Sequence, residues 1–440
     1  MEAFGIRYMT FMLGIRREDK NKWERRVPLI PKHISDLKEQ HGIQTIIQPS
    51  PIRIFPEASY ESAGAIVQED ISSCPVVFAV KEIPLDFFQR GKTYVFFSHT
   101  IKGQQNNMPM LKKMMDLECT LIDYEKILDE NGRRLVFFGR YAGLAGMVDS
   151  LWALGQRLQS KGISSPLSAV KQTIHYGTLD DIKAQLKSIG DRITSEGLPD
   201  VITPLVIGFA GYGNVSKGAQ EILDLFPVIE IAPQELKTPG NHPSKKHLYK
   251  VVFKEEDMVA PQSPTDQFEL QDYYQHPEHY HSIFHQYLPH LTVLMNCIYW
   301  SSKYPRLITK AFLKTQDIDH FRLQVVGDVS IDINGAVEFT EKATTPDNPV
   351  FVYDPQTDGI HDGYNGRGVV VMGVDNLPCE LPRASSRAFS KSLMPFAPLI
   401  AQADYTVPFD QIQLPPVIKN AIVLYQGKLT PAYHYINTFL

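Results

Sequence analysis

The stretch that decides the fold is Val206-Ile-Gly-Phe-Ala-Gly-Tyr-Gly-Asn-Val-Ser-Lys-Gly-Ala219, in which an apolar run leads into a glycine turn and then into a helical pattern. Gly211 and Gly213 supply the backbone dihedrals of a tight turn and let the backbone approach a bound group closely. The N–H groups that begin the following helix favour an anion there, at Asn214, Val215 and Ser216. The stretch therefore predicts a strand, turn and helix that bind the pyrophosphate of a dinucleotide; the alternative is a glycine turn without a ligand.

Two further positions bear on this motif. Ser216 stands where a third glycine is usual, and a small residue there still permits close contact between helix and strand. Glu230 follows the next apolar run at the spacing expected of an acidic residue that holds the ribose hydroxyls. A carboxylate there favours NAD(H), whereas Lys245 and Lys246 could contact the extra phosphate of NADP(H) from a later loop. The residues alone leave this choice open.

Short apolar runs alternate with amphipathic stretches along most of the chain, which is typical of mostly parallel sheets covered by helices. A first series of predicted strands starts at 11–15 and ends at 135–138. A long helix is predicted over 141–159 and a short one over 179–189, inside a segment, 161–199, to which we assign no function. A second strand series begins near Thr203.

These patterns predict an α/β fold of two Rossmann-like domains with mostly parallel sheets and an active site in the cleft between them. The first domain is expected to comprise residues 1–145 plus about 385–440, where the tail packs back on the first sheet. The second, dinucleotide-binding domain is expected to comprise about 146–384.

Composition sets aside several classes of protein. The chain has 440 residues, of which 43% are apolar, and a net charge of −5, so it suits a two-domain globular protein without a basic face for nucleic acid. Its four cysteines show no paired spacing, which argues against a zinc site and a disulfide framework. No apolar run reaches membrane-spanning length. We therefore expect a cytoplasmic protein with no metal, nucleic-acid or membrane partner.

Two polar residues close strongly apolar strands in the first half. Lys81 follows Pro-Val-Val-Phe-Ala-Val, and His99 follows Tyr-Val-Phe-Phe-Ser. Neighbouring parallel strands end at one edge of the sheet, so an amine and an imidazole there could form an acid–base pair. The alternative is that each is only the solvated end of a strand.

Other charged residues allow a role in binding or a structural role. Arg25 and Arg26 follow the first strand, and Arg133 and Arg134 lie in a predicted hairpin. Arginines bind carboxylates through two parallel hydrogen bonds, which suits a substrate with several carboxylates, although surface hairpins often carry arginines without such a role. Asp328 ends a strand of the second series, where it faces the nucleotide or caps the next turn.

The motifs together resemble a known family. The chain is similar to the alanine dehydrogenase and lysine-forming saccharopine dehydrogenase superfamily, and most closely to the lysine–2-oxoglutarate reductase half of the bifunctional aminoadipic semialdehyde synthases. The resemblance extends from about residue 12 to about residue 405. It is carried by the segments Glu24-Arg-Arg-Val-Pro-Leu-Ile-Pro31, Val80-Lys-Glu82, Phe97-Ser-His-Thr100, Gly139-Arg-Tyr-Ala-Gly143, Gly211-Tyr-Gly-Asn-Val-Ser216, Asn296-Cys-Ile-Tyr-Trp300, Pro305-Arg-Leu307, Gly327-Asp-Val-Ser330 and Val374-Asp-Asn-Leu-Pro378.

The resemblance implies reductive condensation of L-lysine with 2-oxoglutarate to saccharopine. Lys81 and His99 match the family's acid–base pair, and Arg26 matches its arginine for a substrate carboxylate. Glu125 and Arg134 match further active-site residues, with Arg133 adjacent as a competitor for the second position.

The resemblance also bears on cofactor and partners. It favours NADP(H), while Glu230 keeps NAD(H) possible. Small-molecule substrates and a possible homo-oligomer are implied, as is a stand-alone reductase without a saccharopine-oxidising half. Two alternatives remain open: an amino-acid dehydrogenase such as alanine dehydrogenase, and a nucleotide-binding sensor without turnover.

Overall fold

The computed structural model describes residues 11–237 and 243–440 of the chain. These residues form two compact units, one of residues 11–138 and 382–440 and the other of residues 139–381. These units are defined by contacts within the folded chain. The predicted division into two domains at about 145 and 385, each able to fold by itself, stays a prediction.

The chain forms strands and helices in alternation, as the apolar pattern predicts. The strands are β1 Phe11–Ile15, β2 Ile43–Ile47, β3 Ile66–Val67, β4 Val76–Phe78, β5 Thr93–Phe96, β6 Thr120–Asp123, β7 Leu205–Ala210, β8 Val228–Glu230, β9 Leu248–Phe253, β10 Val259–Pro261, β11 Tyr280–Ser282, β12 Val293–Asn296, β13 Val325–Asp328, β14 Val350–Asp354, β15 Gly359–Asp362, β16 Val369–Met372, β17 Ile422–Tyr425 and β18 Lys428–Leu429. The α-helices are α1 Pro31–His41, α2 Glu57–Ser62, α3 Met108–Asp116, α4 Gly139–Ser160, α5 Leu179–Glu196, α6 Asn214–Leu223, α7 Glu255–Met258, α8 Leu270–Gln275, α9 Lys310–Lys314, α10 Pro382–Leu393, α11 Ala397–Gln402 and α12 Pro416–Lys419.

The first unit contains an eight-stranded sheet in the order β18-β17-β6-β5-β4-β1-β2-β3. The strands from β6 to β3 pair in parallel, and β17 and β18 extend the sheet antiparallel at the β6 edge. Every residue of the central strands β4, β5 and β6 is buried. Such fully buried strands are typical of a parallel sheet covered on both faces, and they place the core of this unit in the middle of the sheet.

One predicted strand of the first unit does not form. Residues 135–138 follow a tight turn in which Leu128 and Arg134 make an isolated antiparallel bridge, and they run directly into α4. The strand β17 pairs with β6 at this edge of the sheet, so the apolar run joins the core as a loop. Its last residue, Phe138, stacks on Phe389 with ring centroids 4.4 Å apart.

The second unit also contains an eight-stranded sheet, in the order β15-β14-β16-β13-β12-β7-β9-β8. All pairings from β16 to β8 are parallel, and β14 and β15 form an antiparallel extension. A separate antiparallel pair joins β10 to β11. The two mostly parallel sheets with their helices confirm the predicted α/β class.

Helices α4 and α6 of the second unit pack against each other through two glycines. A Cβ atom at Gly143 would lie 1.9 Å from the backbone oxygen of Val215, and one at Gly218 would lie 2.1 Å from that of Arg140. Only a residue without a side chain permits this approach. The helix predicted over 141–159 forms as α4, which begins two residues earlier, at Gly139, and lies wholly within the second unit.

The segment 161–199 contains a longer helix than the pattern predicts. Helix α5 begins after Thr178, whose hydroxyl accepts a hydrogen bond from the N–H of Asp181, and continues to Glu196. The stretch 381–403 forms two helices, α10 and α11. Among the described residues, no helix is both long and apolar enough to cross a membrane.

Candidate functional site

Lys81 and His99 lie at the same edge of the first sheet. Lys81 comes three residues after the end of β4, and His99 comes three residues after the end of β5. The two strands are parallel neighbours, with Phe78 paired to Val95. Both side chains therefore lie beyond the carboxyl ends of adjacent strands, as the sequence predicts.

A glutamate that the sequence argument did not single out lies beside this pair. The Glu82 carboxylate lies 2.6 Å from Nδ1 of His99 and 3.1 Å from Nζ of Lys20. Burial alone would raise the pKa of Glu82, but the hydrogen bond from His99 and the charges of His99, Lys20 and Lys81 hold it far below its usual range. Glu82 is therefore a carboxylate fixed between His99 and Lys20, and the signal for it was its place beside Lys81.

The surroundings of Lys81 favour its neutral amine. Burial lowers the pKa of Lys81, the nearby charges of Arg26 and Lys20 lower it further, and Glu82 and Glu24 oppose them in part. A lysine whose pKa is lowered in this way can exchange a proton closer to neutral pH than a free lysine can.

The backbone of Lys81 is held by a buried carboxyl group. Oxygens of Glu18 accept hydrogen bonds from the N–H groups of Val80, at 2.6 Å, and of Lys81, at 3.0 Å. Burial raises the pKa of Glu18 to about 7, with a contribution from the charge of Glu24. The end of β4 is thus anchored to the loop that follows β1.

His99 has a strained backbone that its neighbours hold in place. Its φ of 50° lies in the left-handed region, which non-glycine residues rarely adopt. The preceding Ser98 donates its N–H, at 3.1 Å, and its hydroxyl to the buried carboxyl of Asp123. Asn107 donates its side-chain amide to the carbonyl of His99 at 3.2 Å. Such strain persists only where the surroundings impose it, and it often marks a functional position.

Arg26 is buried and paired with Glu24 of the same loop. Its Nε and Nη2 atoms lie 2.7 and 2.5 Å from the two carboxylate oxygens. Both side chains are 2% exposed or less, and the guanidinium lies 4.2 Å from the ring centroid of Phe138. The two-pronged geometry expected of a substrate carboxylate is thus made with a carboxylate of the chain itself.

The structure separates the two neighbouring arginines of the hairpin. Arg134 makes an ion pair with Glu125, the other residue that the resemblance places in the active site. Arg133 bonds to Asp129 of its own turn at 2.9 Å and is 75% exposed. The N–H of Glu125 donates to Asp123 at 2.8 Å, so this pair is connected to the carboxyl that holds Ser98.

The glycine turn of the second unit has the geometry that the motif predicts. Gly211 has a φ of 91° and donates its N–H to the carbonyl of Phe253 at 3.0 Å. A Cβ atom built at Gly213 would meet nothing within 4 Å, so the space in front of the helix is open. The helix α6 begins at Asn214, and its first N–H groups, including those of Val215 and Ser216, have no acceptor within the helix. Ser216 is fully buried, and its hydroxyl accepts a hydrogen bond from the side-chain amide of Gln220 at 2.9 Å.

A cavity of about 320 Å³ adjoins this turn, lined by Gly211, Gly213, Glu255, Met258, Ile298 and several tyrosines. Its size and its mixture of apolar and polar lining suit part of a dinucleotide. Tyr274 donates a hydrogen bond from its hydroxyl to Glu255 at 2.7 Å.

Of the residues predicted to bind cofactor, Gly211 and Gly213 line this cavity, whereas Asn214, Val215, Ser216, Glu230 and Asp328 are not among its lining residues. Glu230 lies at the end of the edge strand β8 and pairs with Lys250 at 2.9 Å. Asp328 is buried and accepts hydrogen bonds from Asn296 at 2.9 Å and Thr340 at 2.6 Å. Burial raises the pKa of Asp328 to about 6. Asp328 therefore braces the ends of β12 and β13 and does not reach the space beside the turn.

The fold and these residues define a two-unit α/β protein with a nucleotide-type glycine turn on one sheet and a cluster of ionisable side chains on the other. Two family models match the chain: the N-terminal domain of alanine dehydrogenase/PNT over residues 14–145, and the C-terminal domain of alanine dehydrogenase/PNT over residues 278–432. The chain belongs to the alanine dehydrogenase/PNT family.

Within this family, the chain is similar to several characterised enzymes. The chain is 40% identical to an alpha-aminoadipic semialdehyde synthase of Arabidopsis thaliana, over 97% of this chain and 41% of the relative. It is 27% identical to a saccharopine dehydrogenase [NAD(+), L-lysine-forming] of Yarrowia lipolytica, over 89% of this chain and 93% of that enzyme. A solved L-alanine dehydrogenase has the same fold, with a TM-score of 0.62 and 16% identity, covering 97% of this chain and 99% of that one. The chain spans less than half the length of the semialdehyde synthases.

Proposed function

We propose that this protein is an oxidoreductase that condenses L-lysine with 2-oxoglutarate and reduces the product to saccharopine, using a reduced nicotinamide dinucleotide, and that it also catalyses the reverse reaction. The observation that carries the proposal is the cluster of Lys81, Glu82 and His99 at one sheet edge. A lysine with a lowered pKa beside an imidazole held by a carboxylate is suited to proton transfer. The names of the relatives, a semialdehyde synthase and a lysine-forming saccharopine dehydrogenase, support the choice of substrates.

The proposed reaction balances in two stages. The neutral ε-amine of lysine adds to the ketone carbon of 2-oxoglutarate, and uptake of one proton with loss of one water leaves a protonated carbon–nitrogen double bond. A bound reduced nicotinamide supplies the hydride that converts this bond to the secondary amine of saccharopine.

Each proton transfer is assigned to a residue of the cluster. Lys81 takes the proton from the ε-ammonium group of the substrate, because the lowered pKa of Lys81 leaves part of its amine neutral. His99 gives a proton to the departing oxygen, and Glu82 holds the imidazole through Nδ1. Arg26 and Arg134 are assigned to the substrate carboxylates, and each must release or share the glutamate it pairs with in order to bind one.

The glycine turn fits the pyrophosphate of the cofactor. The open space at Gly213 admits a phosphate close to the backbone, and the N–H groups of Asn214, Val215 and Ser216 favour its charge.

The test is a set of absorbance assays at 340 nm, the band of reduced nicotinamides. We expect oxidation of the cofactor with lysine plus 2-oxoglutarate, formation of saccharopine by mass spectrometry, and no oxidation with pyruvate plus ammonia. Oxidation only with pyruvate plus ammonia would replace the proposal with an alanine dehydrogenase. Nucleotide binding without turnover of any of these substrates would replace it with a sensor.

A further inference from the structure

The strand order determines which acidic residue lies beside the glycine turn. Strand β9 pairs with β7 over six residues, from Leu205 opposite Leu248 to Ala210 opposite Phe253. Strand β8, which ends in Glu230, pairs with the far side of β9. In dinucleotide folds the ribose lies at the end of the strand next to the glycine turn. The residues after Phe253 occupy that position here, and Glu230 lies one strand away.

Glu255 is the acidic residue that reaches the cavity beside the turn. It lines this cavity together with Gly211, Gly213 and Tyr274. One of its carboxylate oxygens accepts the hydroxyl of Tyr274 at 2.7 Å, which fixes the orientation of the group. An ionised carboxylate has about four lone-pair sites, so sites remain to accept hydrogen bonds from ribose hydroxyls.

The two lysines that the sequence offers for an additional phosphate, Lys245 and Lys246, lie elsewhere. Lys245 and Lys246 precede β9, at the edge of the sheet where β7 begins, whereas the glycine turn follows the end of β7. Lys245 pairs with Asp200 at 2.5 Å. No lysine or arginine is among the described residues that line the cavity. Two lysines lie near the cavity without lining it. The ammonium of Lys303 is 3.4 Å from the carbonyl of Tyr274, and Lys254, which directly precedes Glu255, is 61% exposed with its ammonium 4.0 Å from Glu256.

We propose that Glu255 binds the ribose hydroxyls of the adenosine half of the cofactor and makes the protein select NAD(H) over NADP(H). This rests on the proposed function only in that the cavity holds a nicotinamide dinucleotide. A phosphate on the 2′-oxygen would lie against the Glu255 carboxylate, and two like charges in contact disfavour binding. This selection of NAD(H) is opposite to the preference for NADP(H) that the family resemblance implies.

The experiment is a titration of the intact protein with NADH and, separately, with NADPH. Binding is measured by calorimetry and by quenching of tryptophan fluorescence. We expect NADH to bind at least about tenfold more tightly than NADPH, from repulsion between like charges at contact distance. In Glu255→Gln this ratio should fall towards one, and in Glu255→Arg it should reverse. The matched control is Glu256→Gln, because Glu256 is 58% exposed and is not among the residues that line the cavity; its ratio should equal that of the wild type.

Equal or tighter binding of NADPH by the wild type overturns the proposal, as does an unchanged ratio in Glu255→Gln when a thermal melt shows that the variant is folded. Loss of NADPH binding in Lys303→Ala would then assign the phosphate to Lys303. Preferential binding of NADH without turnover of lysine and 2-oxoglutarate would contradict the proposed function but support the selectivity for NAD(H). Turnover of these substrates with NADPH alone would support the proposed function but contradict that selectivity.

Discussion

Glu82 is the residue on which the charge balance of the candidate active site depends. It is fixed between His99 and Lys20, and its charge raises the pKa of Lys81 against the stronger effects of burial and of two cations. Family resemblance names the acid–base pair, Lys81 and His99. The structure adds a third group, Glu82, which contacts His99 and whose charge opposes the lowering of the pKa of Lys81.

Replacing Glu82 by glutamine should lower kcat and move the pH dependence of the reaction. Without the carboxylate, the pKa of Lys81 falls further, so the limb of the pH–rate profile that reports Lys81 should shift to lower pH. We expect kcat to fall by about tenfold or more, since positioned acid–base groups contribute roughly 10²–10⁴-fold. The exposed Glu130→Gln is the control, and an unshifted profile in Glu82→Gln would remove Glu82 from this role.

Replacing Lys81 by methionine should separate catalysis from binding. Turnover should fall by about 10²–10⁴-fold, the usual contribution of an acid–base group, while nucleotide affinity stays unchanged. Burying a charged amine costs free energy, so the apolar variant should melt at or above the temperature of the wild type. Lys112→Met, on the exposed face of α3, serves as the control in both assays. Retained turnover in Lys81→Met contradicts the assignment.

At the scale of elements, the contact between α4 and α6 carries the glycine turn. Gly143 and Gly218 let the two helices touch, and Arg140 of α4 bonds to Glu221 of α6 at 2.8 and 2.7 Å. The Gly-Arg-Tyr-Ala-Gly segment at 139–143 therefore fixes the helix whose first turn faces the open space. Gly143 acts through packing and Arg140 through an ion pair.

Two alanine substitutions distinguish packing from binding within these helices. Gly143→Ala places a Cβ 1.9 Å from a backbone oxygen, and such overpacking should cost about 1–3 kcal/mol of stability and lower the Tm. Gly213→Ala meets open space at an ordinary φ of −75°, so it should fold normally and lose nucleotide affinity instead. Denaturant unfolding and NADH titration of both variants check this. A stable Gly143→Ala variant would contradict the close helix contact.

At the scale of the whole molecule, a buried pair of carboxyl groups links stability to pH. Asp149 of α4 accepts two hydrogen bonds from Thr173, at 2.8 and 2.9 Å, and Glu380 is buried beside it. Burial raises the pKa of both groups, and the charge of Asp149 raises that of Glu380 further. Between the ordinary and the raised pKa, the folded chain holds a proton that the unfolded chain releases. The free energy of unfolding therefore falls as pH rises through that range.

Glu380→Gln should remove part of this pH dependence. Glutamine carries no titrating proton, so the variant should have a higher Tm than the wild type at about pH 8, and the difference should shrink as pH approaches about 5. Calorimetric melts over this range measure the effect, with Glu256→Gln as a surface control in the same unit. A Tm difference that is constant with pH would show that Glu380 does not titrate on unfolding.

Much of this protein was predictable because its signals are local. Strand ends at Lys81 and His99, the glycine turn at Gly211, and the α/β class all follow from apolar runs and from dihedrals that a few neighbouring residues set. The predicted strand at 135–138 was wrong for the opposite reason. Its apolar residues have the right composition, but β17, almost 300 residues later, pairs with the edge that they would need.

Contacts between segments far apart in sequence became known only from the tertiary structure. Spacing along the chain points to Glu230 as the ribose residue, yet the order of β7, β9 and β8 puts Glu255 beside the turn. Adjacent arginines at 133 and 134 look equivalent in sequence, and hairpin geometry gives only the second to Glu125. Hydrogen-bonded pairing between strands far apart in sequence brings new neighbours together, and periodicity and spacing carry no record of which strands will pair.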